Sequence, residues 1–198
     1  RLQPEHAARL PARLPDCASG GTHESRRRDF TRISFDGIRW TRWRPDGVKL
    51  VYEPLALAND RGSYRWALAT VTDTHGNSVA YRHECDRDGS QCYLTSIEYA
   101  DGPRRCFDRL GVSCEDGPEG ARVRFYYAVR PDPVSYGAGS TFAVTTKRLE
   151  TIEVRMAGEL VRAYALGYET SSSSGSSLLR SVQMFPSDAT VDSSGVVR

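Results

Sequence analysis

Apolar residues in this sequence recur at every second position within short runs, and nowhere do they hold a 3.6-residue spacing over three turns. Trp66, Leu68, Thr70 and Thr72 alternate with Ala67, Ala69 and Val71, the period of a strand whose side chains point to opposite faces. The same β-branched and aromatic texture marks residues 33–35, 38–43, 48–52, 78–84, 93–99, 121–129, 148–155, 160–169 and 178–185. Between these runs stand reversal signals: Asp36-Gly37, Pro45-Asp46-Gly47, Gly76-Asn77 and Ala157-Gly158. Pro sets the first corner of a turn and Gly supplies positive φ, so each predicts a tight reversal. Residues 130–142 read as a Pro/Gly/Ser loop, and 170–177 as a flexible Ser/Gly connection. The predicted class is mainly β, built of antiparallel hairpins and meanders.

Residues 1–29 differ in texture. They are rich in Arg, Pro, Gly and Ala, and Pro11 and Pro15 interrupt the sparse Leu2, Leu10 and Leu14. An irregular lead-in is expected there, followed by one β-rich segment over 30–198. The first residue is Arg1, so the chain reads as a piece of something longer, with any signal peptide upstream. At 198 residues a real core is affordable, and 39% hydrophobic content with ten Tyr excludes a wholly disordered chain. A net charge of +2 argues against a dedicated nucleic-acid binder, and no apolar run is long enough to span a bilayer.

The strand pattern repeats. Residues 66–99 and 148–184 each read as a three-strand unit, with Thr70-Val71 matching Thr151-Ile152, Tyr81 matching Tyr164, and Ile97 matching Val182. Neither unit has an apolar face large enough to stand alone, so side-by-side stacking into one extended or curved sheet is expected. Ile97 and Ile152, β-branched between polar neighbours, are expected on the buried face.

Candidate chemistry is sparse. Cys85 and Cys92 bracket one short loop, and Cys106 and Cys114 another. If each loop closes a hairpin, the paired Cα atoms approach disulfide distance, and two local bridges would imply an oxidising compartment. Free thiols are the alternative, and zinc fits poorly because its structural sites favour shorter Cys spacings. Cys17 is left over. His6, His23, His75 and His83 are scattered, and His83-Glu84-Cys85 places Glu84 on the opposite strand face from the other two. Gly137-Ala138-Gly139-Ser140 opens no helix and makes no phosphate cradle. Asp86-x-Asp88-Gly89 and Asp188-x3-Asp192 lack the terminal Glu of a calcium loop, and Glu150 and Glu153 face opposite sides of a strand. No catalytic, cofactor or metal residue is therefore assigned. Trp40, Trp43 and Trp66 with the tyrosines read as cross-strand pairs, or, in a rival reading, as a sugar-stacking platform.

An ordered set of motifs carries a resemblance. Residues 73–81, Asp-Thr-His-Gly-Asn-Ser-Val-Ala-Tyr, precede Tyr93-Leu-Thr-Ser-Ile-Glu-Tyr99. Then follow Arg130-Pro-Asp132, Arg148-Leu-Glu-Thr-Ile152, Tyr164-Ala-Leu-Gly-Tyr168 and Leu178-Leu-Arg-Ser-Val-Gln183. Together, over roughly residues 30–195, this resembles the SpvB-like and Rhs (YD-repeat) region of large secreted bacterial toxins, as in insecticidal toxin-complex B components. The resemblance implies a non-catalytic segment of a β-shell enclosing or presenting a toxic domain. It also implies secretion, other segments of the same toxin as partners, no cofactor, and toxic enzymes that lie elsewhere. The four clustered cysteines depart from that pattern. The rival from another class is an extracellular carbohydrate- or surface-binding β-domain, which requires Trp and Tyr side chains exposed in one patch.

Overall fold

In a computed structural model, residues 2–3, 21–25, 29–55, 63, 65–86, 91–99, 105–106, 114–115, 120–138 and 141–198 are described. They form strands and turns and no helix. The strands are β1 (Leu2–Gln3), β2 (Glu24–Ser25), β3 (Arg32–Phe35), β4 (Trp40–Trp43), β5 (Lys49–Pro54), β6 (Trp66–Thr72) and β7 (Ser78–Cys85). There follow β8 (Cys92–Tyr99), β9 (Arg105–Cys106), β10 (Cys114–Glu115), β11 (Ala121–Ala138), β12 (Thr141–Met156), β13 (Glu159–Thr170) and β14 (Ser177–Phe185). Ten of them make one open antiparallel sheet in the order β14-β13-β12-β11-β8-β7-β6-β5-β4-β3. Of the predicted lead-in, β1 and β2 pair as a two-residue ladder, and most of the rest, including Cys17, lies outside the described residues. The chain divides inside β7 into two compact units, Arg1–Tyr81 and Arg82–Arg198.

In the first unit, turn chemistry sets the register. The Asp36 carboxylate accepts from the Ile38 and Arg39 amides, at 2.8 and 2.6 Å, so Asp36-Gly37 reverses the chain between β3 and β4. Asp73 does the same between β6 and β7, accepting from the His75 and Asn77 amides and from the Asn77 side chain. Those donors, the Asn77 side chain first, hold its carboxyl below the ordinary carboxylate range. The register partners Phe35, Trp40 and Tyr52 form one rung on a face of β3, β4 and β5, with Ile33, Arg42 and Leu50 the next rung on that face.

In the second unit β11 and β12 are far longer than predicted, 18 and 16 residues. The expected loop over 130–142 is mostly strand. Two prolines fit because Arg130 to Pro133 fall in a register shift between Val129 and Val134, where no ladder donor is required. The β12–β13 ladder stops at Thr151 and Ala165, and beyond it the contacts are made by side chains. Tyr168 donates its hydroxyl to the Leu149 carbonyl at 2.6 Å, and the Arg148 guanidinium lies 4.5 Å from the Tyr168 ring centre.

The two predicted three-strand units are both consecutive antiparallel strands, β6–β8 and β12–β14. Their registers are offset by two residues. Val71 faces Val79, whereas its proposed match Ile152 faces Tyr164, so the strand position matching Tyr81 is Leu166. The expectation for Ile152 is also corrected. It is only half-buried, while its neighbours Thr151 and Glu153 are 1% and 2% exposed. The cause is the last thirteen residues. Thr190 and Arg198 exchange two backbone hydrogen bonds of 2.9 Å, and Asp192 caps the turn between them. This hairpin lies on the Thr151 side of the sheet, where Gly195 accepts the Thr151 hydroxyl at 2.7 Å.

Candidate functional site

One group of buried polar side chains sits beneath that terminal hairpin. Alternation brings Ser96, Arg124, Glu153 and Ala163 onto one line across β8, β11, β12 and β13, with Tyr126, Thr151 and Ala165 beside it. The alanines leave room for the larger polar groups. Buried Glu153 accepts from the Tyr126 hydroxyl at 2.8 Å and from Arg155 Nε at 2.7 Å. Arg155 in turn donates to the Gly158 carbonyl at 2.8 Å. Burial, opposed by the Arg124 contact and reinforced by Glu153, pushes the Tyr126 phenol up. Both Glu153 oxygens are thus taken by donors of the fold itself, and the carboxylate locks β11 to β12.

A second cluster joins separate turns. Asp132, in the β11 register shift, accepts two bonds from Arg130, and also accepts from the Ser177 amide at 2.6 Å and the Ser177 hydroxyl. Arg148 donates to the same hydroxyl at 2.7 Å. The Arg130 and Ser177 donors hold the Asp132 carboxyl far below the ordinary carboxylate range.

The sequence-derived candidates fall out as follows. Cys85 and Cys92 are joined by a disulfide that closes the β7–β8 reversal. Cys106 and Cys114 are register partners of the β9–β10 ladder, and their side chains lie outside the described residues. Asp86, of the motif that lacks a calcium loop's terminal Glu, is committed to Lys147 Nζ at 3.0 Å and to the Thr146 hydroxyl, and Asp88 lies outside the described residues. Asp192 is committed to Ser194 and Val196. His83 is half-buried, which lowers its pKa, and His75 is an exposed turn residue. Glu150 is the extra residue at the β11–β12 register shift between Tyr126 and Tyr127, so the alternation expected to set it opposite Glu153 is interrupted there. Among the described residues no three His, Cys, Asp or Glu side chains gather as metal ligands, and no helix is long and apolar enough to cross a membrane.

The tryptophans do pair across strands. Phe35 and Trp40 stack with centroids 4.5 Å apart, and Trp66 meets Trp40 edge-on at 6.0 Å while donating its Nε1–H to the Ile38 carbonyl. Trp43, on the other face, carries the Arg32 guanidinium at 3.9 Å. The sequence signals none of the Asp132–Ser177, Tyr126–Glu153 or Thr151–Gly195 contacts, because each joins residues 27 to 45 positions apart.

No family model matches this sequence, and no curated protein matches it. The open meander is nevertheless a known fold, that of β domains found in bacterial effector and toxin-complex structures. The chain is similar to the N-terminal domain of the effector protein SpvB from Salmonella typhimurium strain LT2, with a TM-score of 0.63 and 13% identity, covering 83% of this chain and 68% of that one. It is similar to a chain of the Tc holotoxin pore of Photorhabdus luminescens, with a TM-score of 0.61 and 15% identity over 86% of this chain. A crystal structure of TcdB2-TccC3 with Cdc42 matches with a TM-score of 0.58 and 15% identity over 88%. The chain spans only 10% and 11% of the last two. At these identities the likeness is one of fold.

Proposed function

We propose that this chain is a non-catalytic structural segment of a large secreted toxin, contributing strands to an Rhs-type β-shell that encloses or presents a toxic domain. The observation that carries the reading is the ten-strand meander and its likeness to SpvB and Tc component structures over 83% to 88% of the chain. The end strand β14 supports it. Leu178, Leu179, Val182 and Met184 are 46% to 61% exposed along an edge with a neighbour on one side only, suited to continuation by further strands. The partners are then other segments of the same toxin chain or complex. The Cys85–Cys92 bond suits an oxidising, extracellular destination. Glu153, Asp132 and Asp86 are spent on joining strands, and no residue is assigned a catalytic role.

The test uses the parent toxin with and without residues 30–198, digested by a protease before and after delivery. The cargo should be protected in the intact toxin and cleaved once the segment is deleted. Equal protection without the segment, or saturable turnover by the pure chain that one polar substitution abolishes, would overturn the reading.

A further inference from the structure

We infer that the aromatic face of the first unit is a binding site for a neutral glycan. A cleft of about 370 Å³ opens there, within the range of small-ligand sites. Its walls are the rings of Trp40, Tyr52 and Trp66 over Ile33, and at one side stand Asp29 and Arg42. A second cleft of about 340 Å³ shares Trp40 and Trp66 and continues past Phe35 toward Pro54 and Ser63.

The lining selects the ligand class. Asp29 Oδ2 accepts from Arg42 Nη2 at 3.0 Å, while its Oδ1 accepts from the Thr31 hydroxyl at 2.6 Å. The Thr31 bond is the main cause that holds Asp29 ionised. Carboxylate and guanidinium therefore stand as a fixed pair with no net charge. A cationic ligand meets Arg42 and an anionic one meets Asp29, so neither sign is favoured. A pyranose suits both halves of the cleft. Its C–H face lies against the Tyr52 phenol or the Trp66 indole, the Trp40 ring being already packed by Phe35 and His23, and its neighbouring hydroxyls both donate to a carboxylate and accept from a guanidinium. The two adjoining clefts favour an oligosaccharide over a single sugar.

The test titrates the whole chain with cellotetraose, chitotetraose and maltotetraose, following tryptophan emission, with phosphocholine and a heparin tetrasaccharide as charged controls. At least one neutral probe should shift the emission saturably, with a dissociation constant at or below about 1 mM. The charged controls should not. Asp29→Asn and Arg42→Gln should each weaken binding at least about tenfold, and Trp43→Phe, on the opposite face, should leave it unchanged. Saturation transfer from the aromatic protons to the sugar should be strongest at the C–H groups of one ring face, a readout that needs no variant. No saturable response to any neutral probe up to ~10 mM, an equal response to a charged control, or unchanged affinity in Arg42→Gln would each overturn the inference.

Discussion

Gly195→Ala probes the terminal hairpin with a single carbon. Gly195 sits at φ +92°, a conformation that costs an ordinary L-residue roughly 1–2 kcal/mol. The new Cβ would come within 2.5 Å of Tyr126 Cβ and 2.6 Å of its Cγ. The Tyr126 Cβ is fixed by the β11 backbone and cannot rotate away, so Gly195 must retreat. Its carbonyl then leaves the Thr151 hydroxyl, a group 1% exposed, and an unpaired buried hydroxyl costs about 1–3 kcal/mol. The total is about 2–5 kcal/mol, with a ceiling: the hairpin over 190–198 can lift off before the sheet melts. Amide exchange separates the two outcomes. Protection at Thr190, Val196 and Arg198 should fall at least about tenfold, a change of about 1.4 kcal/mol, while Val71 and Val79 keep theirs. Unchanged exchange at all three tail amides would refute both the contact geometry and the account of why Thr151 is buried.

Other perturbations test separate links. Ala157 and Gly158 both have positive φ, 50° and 82°, the pattern of a turn that prefers Asn-Gly, so Ala157→Asn should raise stability by about 1 kcal/mol in urea melts. Reducing Cys85–Cys92, a loop with a sequence separation of 7, should cost about 2 kcal/mol and lower the denaturation midpoint. Asp132 has a depressed folded-state pKa, so its stabilisation is present above its unfolded value near ~4 and is lost as the pH falls below it. Melts at descending pH should show an acid limb that flattens in Asp132→Asn. Ile152→Ala, at a half-buried site, should cost about 1–2 kcal/mol, less than a fully buried isoleucine.

Local chemistry was legible in the sequence and distant contact was not. Asp36-Gly37, Gly76-Asn77 and Ala157-Gly158 reverse the chain where the sequence places the turns, since the donors that close them lie within four residues. Pro131 and Pro133 misled because a proline-rich stretch reads as a loop, whereas a register shift carries both through a continuous strand. Ile152 misled because alternation says that one face is inward and not which one. The choice is made by a terminal hairpin some forty residues on, whose Gly195 seals the side carrying Thr151 and Glu153. That the tryptophans pair across strands was readable from strand texture, but Phe35 as the partner of Trp40, and the cleft between Trp40, Tyr52 and Trp66, depend on register and Cβ direction in four strands at once.

Within the ten-strand sheet every strand pairs with its neighbour in sequence, apart from β8 and β11, which residues 100–120 separate. That ordering bears on timing. Apart from residues 55–65 between β5 and β6, a strand that docks on the one before it closes a loop of only a few residues, so little chain entropy is lost at each step. No strand has to wait for a partner made much later, which favours rapid assembly. A polypeptide delivered end first, from a ribosome or through an export channel, can therefore lay down this sheet strand by strand, with one unfinished edge that moves along with synthesis or transport. The same succession runs in reverse. Pulled from either terminus, the sheet can give up one strand at a time, so a translocating machine would meet a series of small barriers instead of one large one.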